Sequence, residues 1–194
     1  MMPKDRVDKE VSEEGKAHKS RRRKVRRQEQ DAADTVRGWT TSASGANPQD
    51  KGDAGTVRTG FAGECLLVEC KHSFVRNSNG DYHKRFHLRW LDNVCEQATK
   101  KHSAGCVAIR LGEMGEDCWI FKEDDLHALC PDMFDDWAED VEVFEASGKS
   151  FVIDESMVKY KDGLRICFPE CMVVVVRERF VEAVVERVFE RAKS

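Results

Sequence analysis

Three side chains carry most of the chemistry this sequence suggests: Asp53, Glu69 and Lys71. The stretch "CLLVECKHS", from Cys65 to Ser73, is an apolar run ending in a carboxylate and an ammonium two residues apart. In a β-strand, residues two apart point to one face, so Glu69 and Lys71 project together while Cys70 turns the other way into the core. Asp53 stands at the start of the preceding strand-like segment. If the two strands are antiparallel neighbours, its carboxylate meets that of Glu69 at one end of the sheet. Two negative charges so placed are costly unless a cation lies between them. A hard divalent ion such as Mg2+, with Mn2+ as a substitute, takes oxygen ligands and keeps waters that a phosphate can replace. Lys71 then holds the phosphate or orients a water on the ion. The plainer alternative is a surface ion pair between Glu69 and Lys71, which is worth little.

The elements that must position these groups follow from periodicity. A helix is expected over about Arg22 to Arg37, with Val25, Ala32, Ala33 and Val36 as a sparse apolar face and Glu29 near its middle. "GWTTSASGANPQDKGD" reads as a loop, rich in Ser, Gly, Asn and Pro. A short strand over Ala54 to Arg58, a turn at Gly60 to Gly63 and the apolar strand Glu64 to Lys71 come next. Leu88, Leu91, Val94, Cys95 and Ala98 recur at helical spacing, which predicts a helix over Phe86 to Lys101. "GCVAIRLG" is a buried strand, and "DCWIFKEDDLHAL" a strand followed by a short helix entered near Glu123. This order is that of an α/β core, a mixed central sheet flanked by helices. Farther on, "KSFVIDESMVKYKDGLRICF" reads as a hairpin turning at Lys161 to Gly163. "CMVVVVRERFVEAVVERVFERAKS" reads as a strand and a terminal helix that extend the same sheet.

A chain of 194 residues, 40% hydrophobic and 35% charged, is long enough for one domain with a real core. Its apolar runs are only a few residues long and its N-terminus is charged rather than signal-like. The expectation is a cytosolic protein, in a bacterium or a phage-infected host, without membrane partners. The net charge of -4 hides an asymmetry: residues 1–27 hold eleven Lys and Arg against five Asp and Glu, so the rest of the chain is ten charges negative. The positive block is "KAHKSRRRKVRR", including Arg21, Arg22, Arg23, Lys24, Arg26 and Arg27. It reads either as a disordered solubilising arm or as an arm that contacts DNA or RNA, with Lys51 near the site as a further contact. The expected organisation is a disordered arm over 1–21, a core over 22–130 and a C-terminal strand and helix extension of the same domain over 131–194. Eight cysteines read as reduced thiols, since the N-terminus is not signal-like and the chain is not small. They read against zinc, since the close pairs Cys65 with Cys70 and Cys167 with Cys171 lack the spacing of a zinc knuckle. His83 and His87, four apart in "YHKRFH", could share a helix face; a pair that is simply exposed, or that contacts phosphate, is the better reading.

An acid on a first helix, a Ser/Gly loop leading into "KGD", an apolar strand ending in "ECK" and a following helix bearing "EQA" occur here in a single order. In "RRQEQDAADTVRGW", "SASGANPQDKGD", "LLVECKHS" and "EQA" the chain resembles the PD-(D/E)XK nuclease superfamily, and within it the Holliday junction resolvases of archaeal and phage type. The likeness spans about Arg26 to Ala98, and the strands up to about Leu129 fit the same fold. It implies a restriction-endonuclease-like core and a magnesium-dependent phosphodiesterase acting on branched DNA as a homodimer. Asp53 and Glu69 would be metal ligands, assisted by the Cys70 carbonyl, and Lys71 the catalytic lysine. Glu29 would match the acid of the family's first helix, Ser44 its loop serine, and Gln97 a position often polar in these enzymes. Gly52 stands where the family name has proline. Two other classes fit the same residues: a nuclease of this fold acting on nicked, damaged or restriction-site DNA, and a non-catalytic nucleic-acid-binding protein using the basic arm.

Overall fold

The computed structural model describes residues 20, 23–37, 39–40, 54–55, 65–100, 103–112, 116–159 and 162–191. A first helix, α1, covers residues 23–35. It is followed by β1 (Trp39–Thr40), β2 (Ala54–Gly55), β3 (Cys65–Ser73), β4 (His83–His87) and α2 (Leu88–Thr99). Then come β5 (Ser103–Leu111), β6 (Cys118–Lys122), α3 (Glu123–Leu129), α4 (Pro131–Ala138) and β7 (Val143–Glu145). The chain closes with β8 (Ser150–Asp154), α5 (Glu155–Lys159), β9 (Gly163–Cys167), β10 (Met172–Arg177) and α6 (Glu178–Arg191).

Eight strands form one mixed sheet in the order β1-β2-β3-β5-β6-β10-β9-β7. Within it β3 runs parallel to β5 and β7 parallel to β9, and the other neighbours are antiparallel. A parallel pair needs a crossover, and α2 supplies it between β3 and β5. Strand alternation then sorts the core into two layers. Leu66, Val68 and Cys70 of β3 pack with Ala32, Ala33 and Val36 of α1, Leu126 of α3, Phe134 of α4 and Val181, Val184, Val185 and Val188 of α6. The spacing of those four valines is the i, i+3, i+4, i+7 stripe of an amphipathic helix. On the opposite face, Leu67 packs with Leu88, Leu91, Val94 and Ala98 of α2, and with Val173 and Val175 of β10. The run Val173 to Val176 is buried on both sides, as the β-branched side chains of an interior strand should be. The α/β architecture with helices on both faces of a mixed sheet is thus the one expected.

Three local expectations are corrected. The helix predicted from Phe86 begins at Leu88, because β4 occupies 83–87 and pairs antiparallel with β8 as a separate two-stranded sheet. His83 and His87 therefore sit on a strand, not on a helix face. "KSFVIDESMVKYKDGLRICF" is no hairpin: β8 pairs with β4, α5 intervenes, and β9 pairs with β10 and β7. The hairpin is β9–β10, and it places β10 beside β6, inside the sheet. Propensity marks a strand, but partners across the chain choose its place.

Gly105 of β5 lies where α2 touches the sheet. A Cβ there would stand 2.7 Å from both the Cα and the backbone nitrogen of Cys95. Backbone cannot yield as a side-chain tip can, so Gly105→Ala pushes α2 off the sheet. The expected cost is about 1–3 kcal/mol, read as a fall in Tm of roughly 2–4 °C per kcal/mol in a thermal melt. An unchanged Tm would refute the close contact.

Candidate active site

Beyond Val68 the α2-side positions of β3 turn from apolar to charged at Glu69 and Lys71, which are only partly buried, while Cys70 and Ser73 stay buried. Glu69 and Lys71 project on the α2 side, and the Lys71 ammonium donates a hydrogen bond to Glu69 Oε1. Their side chains are 30% and 26% exposed, so the ion pair is wet and readily exchanged for other partners. Cys70 points the other way and is buried against α1. The antiparallel pairing expected of the preceding strand is present: Ala54 of β2 faces Val68, and Gly55 faces Leu67. Asp53 immediately precedes Ala54, and Glu69 immediately follows Val68. Asp53 itself lies outside the described residues, as do Ser44, Lys51, Arg21 and Arg22.

The first helix delivers a second acid. Glu29 is half-buried, and burial pushes its carboxyl above the usual range. Arg26 opposes that rise, while the nearby charge of Glu69 adds to it. A carboxyl raised by a neighbouring carboxylate marks a place where positive charge is favoured. Among the described residues no three His, Cys, Asp or Glu side chains group as a metal site. Glu29 and Glu69 carry the hard oxygen donors that a magnesium-like ion takes.

What holds α1 in place is a buried polar network. Gln28 is fully buried and donates from Nε2 to the Lys71 carbonyl at 3.0 Å, to the Ala108 carbonyl at 3.3 Å and to Asp117 Oδ1 at 3.0 Å. Arg110 grips Asp117 through Nε and one terminal nitrogen, each at 3.1 Å, and reaches Asp31 Oδ2 of α1 with the other at 2.6 Å. Glu178, at the start of α6, accepts from the Thr35 hydroxyl at 2.6 Å and from the Asp117 backbone N–H at 3.1 Å. Burial pushes Asp117 up to about 6, although Arg110 pulls against it. Burial also works against the Arg110 charge, and Asp117 and Asp31 together hold its pKa above the ordinary value. The network was missed from sequence, where its signal was present: Gln28, Asp31 and Thr35 share a stripe with apolar Ala32.

On the other side of Lys71 lies Trp90, at the start of α2. The Lys71 ammonium is 5.6 Å from its ring centroid, and so is that of Lys84 from β4. Burial pushes the Lys84 ammonium down, and the Lys71 charge pushes it further. Lys84 also donates to the His72 carbonyl at 3.4 Å. His72 stacks on Phe74 and contacts the Gly112 carbonyl through Nε2 at 2.8 Å; burial holds its pKa below the usual histidine value. Of the basic block, Lys24 lies over the Phe74 ring at 5.5 Å, while Arg23, Arg26 and Arg27 are exposed on α1. Gln97 sits seven residues, two turns, beyond Trp90 on α2. Its Oε1 is buried without a hydrogen-bond partner, and among the described residues it makes no hydrogen bond to Glu69, Lys71 or Glu29.

Every cysteine whose side chain is described is a free thiol. No helix among the described residues is long and apolar enough to cross a membrane. No protein-family model, curated protein or solved structure matches the chain.

Proposed function

We propose that this chain is a metal-dependent DNA endonuclease, and specifically a resolvase that cuts four-way junctions as a two-fold homodimer. The observation that supports this reading most is the Glu69–Lys71 pair on one face of β3, with Glu29 of α1 near enough for the charge of Glu69 to raise its pKa. It is strengthened by a β2–β3 pairing in which the residue after Asp53 faces the residue before Glu69. Asp53, Glu69 and Glu29 would hold magnesium, with the Cys70 carbonyl assisting. The ion, when bound, supplies charge neutralisation at a phosphodiester and a more acidic water. Lys71, on the same face as Glu69, would stabilise negative charge gathering on the phosphate oxygens. Arg23, Lys24, Arg26 and Arg27 draw the duplex arms toward α1 by counterion release. The homodimer and the preference for branched DNA follow from likeness to junction resolvases.

A second reading is favoured by the Lys71–Glu69 contact itself, since an acid that merely pairs with a lysine does not need a metal. In that case the protein binds nucleic acid without cutting it. Labelled four-way junction and linear duplex, incubated with the full chain in magnesium or EDTA, separate the readings. The expected result is paired incisions in the junction, dependent on magnesium and lost in Asp53→Asn. Cleavage of linear duplex alone would replace the resolvase with a nuclease of other specificity, and binding without incision in magnesium or manganese would favour the non-catalytic reading.

A further inference from the structure

Lys84 enters the site from an element that the acid-x-lysine pattern does not include. By strand alternation it shares the inward face of β4 with Phe86, which is fully buried. An ammonium on such a face gives up hydration, a cost usually offset by a carboxylate. Among the described residues Lys84 has no carboxylate partner, whereas Lys71 has Glu69. The two lysines instead converge on one indole, itself held edge-on by Phe86 and His87 with ring centroids 6.2 and 5.0 Å away. Two like charges brought together beside a wedged aromatic ring form a pre-set patch of positive potential, where an anion would relieve both desolvation and repulsion.

We propose that Lys84, paired with Lys71 about Trp90, forms a second phosphate subsite that binds a backbone phosphate of the DNA strand next to the one Lys71 contacts. The inference rests on the DNA-binding part of the function proposed above and not on cleavage. Lys71 faces the metal-side acids and takes the phosphate that reacts. Lys84, with no acid to share its charge, takes the neighbouring phosphate and sets the strand's register across the end of β3. Trp90 fixes the spacing of the two ammoniums and presents an apolar surface to the sugar between them. A phosphate contact carries no base preference, so its loss weakens binding to every sequence alike.

The test is DNA affinity measured in EDTA, so that incision plays no part, for junction and duplex over a series of salt concentrations. Lys84→Ala is expected to weaken both by roughly fivefold to tenfold and to lower the slope of log affinity against log salt by about 0.9, one phosphate's worth. Lys84→Gln keeps a donor for the His72 carbonyl and is expected to show the same loss, which separates charge from fold. Lys84→Arg is expected to recover most of the affinity. Wild-type affinity and slope in Lys84→Gln would overturn the subsite, as would weakened binding with an unchanged slope, or a wild-type chain that binds no DNA. A wild-type chain that binds with the predicted Lys84 dependence yet never cuts in magnesium would uphold the subsite and overturn the nuclease.

Discussion

Lys71→Ala is expected to lower the rate of junction incision by about a hundred- to a thousandfold, the loss typical of removing one group aimed at transition-state charge. DNA affinity should fall by no more than the roughly fivefold to tenfold of one lost phosphate contact, because the basic residues of α1 carry most of the counterion release. Lys71→Arg should not restore the rate, since a planar guanidinium cannot replace a compact ammonium beside Trp90 and Glu69. Fold loss is not a competing explanation: a partly exposed ion pair contributes at most about 1 kcal/mol, so Tm should fall by no more than about 4 °C. The measurement is a single-turnover assay with protein in excess, alongside gel-shift titration and a thermal melt. Wild-type incision by Lys71→Ala would end the assignment of this lysine to catalysis.

The largest stability effect is expected from Arg110→Ala. Arg110 and Asp117 have side chains 8% and 0% exposed, so removing the guanidinium strands a carboxylate in the core. Breaking one side of a buried pair costs about 3–5 kcal/mol, and here Asp31 and the seat of α1 lose their anchor as well. The loss should depend on pH, with a sign set by Asp117. Its folded pKa is already raised to about 6, above the ordinary value in the unfolded chain, so the folded state takes up this proton first as pH falls. Without Arg110 the carboxyl rises further, and its ionisation penalises the variant most at high pH. The gap between wild type and variant should therefore be widest near pH 8 and narrow toward pH 5. Urea titrations at the two pH values measure it. A gap that widens on acidification would show that Asp117 is not the stranded group. Because α1 carries Glu29, the variant should also need more magnesium for incision at temperatures where it remains folded.

Several parts of this arrangement were legible from local pattern. The face shared by Glu69 and Lys71 follows from strand alternation, which every residue of β3 obeys whatever its partners. Helices α2 and α6 were readable because apolar residues recur at helical spacing and both lie on an apolar sheet. Glu29 was singled out by resemblance to a family whose first helix carries an acid, and it lies on the helix expected there. Lys84 was not legible: "HKRFH" is too short and polar to signal a strand, and only pairing with β8, over sixty residues later, turns Lys84 inward. Gln28 looked like one more polar residue in a basic helix until its three acceptors, 43, 80 and 89 residues away, were seen to surround it.

Sequence alone determined which residues alternate, which recur at helical spacing and hence which side chains share a face, because these depend on backbone geometry within a few residues. Tertiary structure alone decided that β10 lies beside β6 rather than outside the sheet, that Arg110 and Asp117 clamp α1, and that Lys84 joins Lys71 at Trp90. Those outcomes depend on which distant surfaces bury each other most completely, a competition among contacts that no local period encodes.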